Sequence, residues 1–123
     1  METVLWIMQI LLAGVFAASG LSKLAQPQTK LAESQAWATD FSDRQIKGIG
    51  ILELLAAIGL IVPAALDIVP ILTAFAATGL VLLMVVAARV HIRHGERQTL
   101  LVNLVLGGIA LFIMIERFGP NSL

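Results

Sequence analysis

GIGILELLAAIGLIVP, residues 48–63, is an apolar run interrupted by one carboxylate, Glu53. Charged residues at the centre of a membrane helix cost about 2.5–3.5 kcal/mol on insertion scales, so a Glu kept there calls for a partner or a task. The other Asp, Glu, Lys and Arg residues divide the rest of the chain into three similar runs, residues 3–22, 68–88 and 98–115. Each run has about the 17–25 residues a spanning helix needs, and the sequence therefore predicts four membrane spans. Composition agrees, with 59% hydrophobic and 13% charged residues in 123. A water-soluble domain of this length carries far more polar surface. The expected architecture is all-α: one integral membrane domain over residues 1–123, an antiparallel four-helix bundle.

The connections refine this picture. The first span is expected over about 3–24, stopping before Gln26-Pro27 because Pro disfavours helix at the preceding residue. Glu2, with no Lys or Arg before the run, argues against a cleaved signal peptide. The only long connection is 25–47. Pro27 can open a short helix through Ala38, with Leu31, Trp37 and Phe41 placed for the membrane interface. Ser42-Asp43-Arg44-Gln45 has the form of a capping box that starts the second span at Asp43. Pro63 is expected to end or kink that span, and Asp67 to cap the third. Gly95 offers a left-handed stop for the third span, and the fourth ends before Gly119-Pro120. Short connections at 64–67 and 95–98 force antiparallel neighbours.

Seven of the eight Lys and Arg residues border the 25–47 and 95–98 connections, and only Arg117 lies at the opposite end. The positive-inside rule makes those connections cytoplasmic and puts both termini outside. The expected location is a membrane, crossed several times, the inner membrane if the source is bacterial.

In that frame Glu53 sits about ten residues, roughly 15 Å, into its helix from the cytoplasmic end. Ser19 and Lys23 share a face of the first span in the same half of the bilayer. Arg89 and His91 close the third span, and Asn103 lies in the second turn of the fourth. These six form the candidate buried polar cluster, a binding site for a ligand or partner in which Glu53 faces Lys23, Arg89 or both. Gly50, Ala56, Ala57 and Gly107 let helices approach closely at that level. Simpler roles stay open: Lys23 snorkelling, Arg89 setting topology, and Asn103 bonding between helices. His91 and His94 read as a solvated loop end rather than a metal site, since Arg89, Arg93 and Arg97 surround them. The opposite half reads as nearly pure hydrocarbon, with Gln9 the exception. No catalytic set and no metal site are expected, and the absence of Cys excludes thiol chemistry by this chain. No basic stretch is dense enough for nucleic acid.

GLSKL at 20–24, GIGILELLAAIGLIVP, AARVHIRHGE at 87–96 and a fourth span opening with an Asn together resemble the DoxX-like family along nearly the whole chain. The resemblance implies a four-helix membrane bundle whose polar cluster is built on Lys23 and Glu53. It also implies two kinds of role. Some members are associated with membrane oxidoreductase systems such as thiosulfate:quinone oxidoreductase, and an animal relative is an assembly chaperone for nicotinic receptors. The fold is similar to vitamin K epoxide reductase as well, but that chemistry needs cysteines.

The favoured expectation is a non-catalytic accessory or assembly subunit, without a cofactor, that binds a membrane protein partner or its own copies. The alternative is a quinone-associated subunit of an oxidoreductase system, with the electron carrier elsewhere. A small proton-coupled exporter ranks third: such transporters keep their essential Glu in the first helix and use tyrosine, and this chain has no Tyr.

Overall fold

The computed structural model describes residues 1–123 and contains helices and connections only. Four long helices, α1 (Glu2–Ala25), α3 (Asp43–Leu66), α4 (Ile71–Arg93) and α5 (Arg97–Phe118), are each long and apolar enough to cross a membrane. A short helix α2 (Gln28–Ser34) and a 3-10 turn (Ala36–Asp40) lie between α1 and α3. Around the bundle α1 packs on α3, α3 on α4 and α4 on α5, with a sparser α5–α1 contact closing the ring. One end of the bundle carries the 25–47 and 95–98 connections (the loop end); the other carries both termini.

The core is a column of small and branched side chains, including Leu5, Leu12, Phe16, Leu60, Leu80 and Ile113. Outside it, Leu11, Leu82 and Ile92 are more than 60% exposed, as are many other large apolar residues in part. A bundle whose outer surface is apolar and whose interior holds the polar side chains has lipid as its solvent.

Local chemistry explains the helix ends. At the start of α3 both halves of the capping box form, Gln45 N–H to Ser42 Oγ at 3.2 Å and Ser42 N–H to Gln45 Oε1 at 2.9 Å. Gly95 takes the left-handed conformation, φ +66°, between α4 and α5. The α3–α4 turn narrows one expectation and corrects another. Of the two outcomes open to Pro63 the ending is excluded, since the helix runs one more turn to Leu66. Asp67 closes α3 instead of opening α4: it adopts φ 52° and its N–H bonds to the Pro63 carbonyl, a left-handed geometry that Asp tolerates.

The 25–47 connection also differs from expectation. The helix opened by Pro27 breaks at an extended Gln35, and the chain resumes as a 3-10 turn. The break folds Trp37 back, with its indole N–H donating to Gln35 Oε1 at 2.8 Å. Leu31 does not face the interface; it is buried with Ala38 and Ile46 in a small core of its own. The connection is tied down by Arg93 to Asp40 at 3.0 Å and Lys47 Nζ to the Leu24 and Gln26 carbonyls.

Close backbone approach sets where α1 and α3 cross. A Cβ on Gly20 would lie 2.7 Å from the Gly50 carbonyl oxygen, and one on Gly50 would lie 3.0 Å from that of Gly20. Gly20 lies between Ser19 and Lys23 on α1, and Gly50 is one turn before Glu53 on α3. The glycine crossing therefore brings these three polar side chains to the same level.

Candidate functional site

At that level Lys23 Nζ lies 2.8 Å from Glu53 Oε1. Lys23 also donates to Ser19 Oγ at 2.6 Å, and Ser19 donates to Glu53 Oε2 at 3.0 Å. The three side chains form a closed ring in which each polar group has a partner. Glu53 is 4% exposed, so its charge is held away from lipid and matched by a single cation. The Trp37 ring covers the ammonium, with Nζ 5.2 Å from its centroid. Two of the three ammonium protons are used by Glu53 and Ser19, which leaves one without a hydrogen-bonding partner.

This triad forms the polar end of a cavity of about 990 Å³. The cavity follows the α3–α4 seam from Ile49 to Pro63, about 21 Å of helix at 1.5 Å per residue. Its floor at the loop end is Gln35, Trp37 and Phe41. Apolar residues such as Leu55, Ile58, Phe75, Leu82 and Val86 line it and are also exposed, so the cavity opens sideways between α3 and α4. His91 and Asn103 line it as well. The Asn103 amide donates to the Met84 carbonyl at 2.9 Å, which leaves its own oxygen for another donor. The volume is at the upper end of the range for small-molecule sites, and so is the mixture of an apolar wall with a few convergent polar groups.

Five of the six residues singled out in the sequence, Ser19, Lys23, Glu53, His91 and Asn103, thus border one cavity. Arg89 does not. It is exposed on another face of α4, beside a groove with α5, and Glu53 finds its cation in Lys23 alone. The expectation of a solvated histidine pair is also corrected. His91 is 8% exposed, with Nδ1 at 3.3 Å from Glu96 Oε1, because the α4–α5 turn folds Glu96 back over it. His94 Nε2 lies 3.1 Å from Asp40 Oδ1.

The terminal end of the bundle holds a second polar cluster that sequence reasoning missed. Arg117 is 2% exposed; its Nε donates to Gln9 Oε1 at 2.8 Å and NH1 to Glu2 Oε1 at 2.8 Å. Gln9 passes the connection to α3 by donating to the Leu60 carbonyl at 2.7 Å. This half is therefore not pure hydrocarbon with one exception. Gln9 and Arg117 are one device, which pins α5, α1 and α3 together where the α5–α1 packing is sparse. The available signal was an amide inside an apolar run and, at the same end of the bundle, a cation whose long side chain can reach inward.

Searches of the curated proteins and of the solved structures found no match to this chain. A family model does match, over residues 7–113, a span that includes every side chain bordering the cavity and stops short of Arg117. With four apolar spans around a Lys–Glu polar centre, the chain is a multi-pass integral membrane protein that belongs to the DoxX-like family.

Proposed function

We propose that this chain is a non-catalytic membrane subunit that holds a neutral amphipathic molecule of the bilayer, a quinone being the class that suits the site best. The observation that carries the reading is the shape and polarity of the α3–α4 cavity. It opens to lipid along an apolar wall and ends at Lys23, Glu53 and Ser19. The Lys23–Glu53 pair has no net charge, which favours a neutral headgroup over a free anion. A ring carbonyl would accept the spare Lys23 proton, and an isoprenoid tail would lie between Ile58 and Phe75. The chain has no cysteine and so offers no thiol couple, and a redox role for the bound quinone requires an electron carrier on another subunit. The assembly-subunit reading gains no specific support from the cavity.

Gentle detergent extraction followed by organic extraction and mass spectrometry tests the proposal. The wild-type chain is expected to carry a quinone in near-stoichiometric amount, and Ala56→Leu, which fills the cavity wall, to carry much less. Equal recovery from both proteins, or from neither, would count against it.

The same reading takes the 25–47 and 95–98 connections as cytoplasmic, supported by the seven Lys and Arg residues at that end. Cysteine introduced at Ser34 should resist an impermeant external thiol reagent in whole cells, while cysteine at Ser122 should react. The reverse pattern would invert the topology.

A further inference from the structure

Arg89 and the groove beside it belong to neither polar cluster. The groove, about 410 Å³, lies between α4 and α5 and shares only Met84 and Asn103 with the large cavity. Val85, Ala88, Leu104 and Leu111 form its walls. A Cβ built on Gly108 meets nothing within 4 Å, so the groove is unfilled by the protein at that point.

Its loop end is positively charged. Arg93 is held by Asp40, but no carboxylate of the chain pairs with Arg89 or Arg97. Arg97 precedes Leu104, Gly108 and Leu111 by 7, 11 and 14 residues, spacings that return to one face of an α-helix. Arg89 thus lines the groove, and Arg97 begins the same face of α5 on its loop side. Arg89 lies four residues, about 6 Å, from the end of α4, the depth at which a long cationic side chain reaches the headgroup layer.

We propose that this groove binds an anionic phospholipid of the bilayer, its phosphate held by Arg89 and Arg97 and one acyl chain laid over Gly108. A guanidinium matches a phosphate with two parallel hydrogen bonds. The groove is narrow and apolar beyond the arginines, which suits an acyl chain.

Native mass spectrometry of the full chain in mild nonionic detergent tests this, with phosphatidylglycerol and phosphatidylcholine of identical acyl chains offered in equal amounts. The preference for phosphatidylglycerol is expected to fall roughly fivefold in Arg89→Gln, and by a similar factor again when Arg97→Gln is added. Gly108→Leu should lower retention of phosphatidylglycerol while leaving helix content and thermal stability intact, since space is open there. Equal retention of the two lipids by the wild-type chain would overturn the proposal. So would an unchanged preference in Arg89→Gln, retention unaffected by Gly108→Leu, or a dimer that excludes lipid from the groove.

Discussion

Glu53→Leu is expected to cost about 3 kcal/mol of stability, the low end of the cost of stranding one member of a buried ion pair. The low end applies because the Lys23 side chain keeps 15% of its surface exposed and can move toward the headgroups once released. Ser19 would lose its carboxylate acceptor at the same time. Glu53→Leu combined with Lys23→Met should recover most of the loss, because two apolar side chains of similar volume satisfy the site without any charge. Denaturation of the four proteins in mixed micelles gives the coupling between the two positions. A coupling below about 0.5 kcal/mol, the scatter expected for independent sites, would mean that the pair is not formed. Glu53→Gln separates structure from function: the amide keeps an acceptor for Ser19 and should fold, while the matched charge at the cavity end is lost.

The second large effect concerns the α1–α3 crossing. Gly20→Ala and Gly50→Ala should each destabilise by about 1–3 kcal/mol, because the added carbon meets a backbone carbonyl that cannot rotate away. Gly107→Ala meets only the Met84 side chain at 3.2 Å and should be much milder. Gly14→Ala meets nothing within 4 Å and should stabilise by up to about 1 kcal/mol through helix propensity. Thermal melts in detergent would rank the four variants. If Gly20→Ala is as well tolerated as Gly14→Ala, the helices do not cross there. The crossing also brings Ser19, Lys23 and Glu53 together, so a wedge there should widen the Lys23–Glu53 distance.

Much of this arrangement is legible in the sequence alone, for definite physical reasons. Charge marks the limits of membrane helices sharply, which is why four spans emerge from the positions of Asp, Glu, Lys and Arg. A capping box is a local exchange of two hydrogen bonds, so Ser42 and Gln45 announce the start of α3 without tertiary context. Depth places both Lys23 and Arg89 level with Glu53 as candidate cations, and only the structure selects Lys23. What failed depended on rotation about a helix axis or on distant chain. Arg89 has the right depth but the wrong phase: Leu83, Ala87 and Val90 line the cavity, and Arg89 turns away with Val85 and Ile92. Asp67 was ambiguous because a four-residue connection allows one polar residue to close one helix or open the next. Arg117 meets Gln9 across 108 positions, and a lone cation near a chain end reads as a topology signal until its partner is seen.

The central claim is that the α3–α4 cavity takes a quinone with its head beside Lys23 and Glu53, and Trp37 reports on that position directly. With Trp6→Phe, Trp37 is the only tryptophan left, and its ring faces the Lys23 ammonium at the polar end of the cavity. Titration of that protein in detergent with a short-chain quinone should quench its fluorescence along a saturable curve. The same titration of the Trp6→Phe, Lys23→Met protein, which lacks the donor to the ring carbonyl, should require several-fold more quinone to reach half-saturation. Quenching that rises linearly without saturation, and equally in both proteins, would contradict the account.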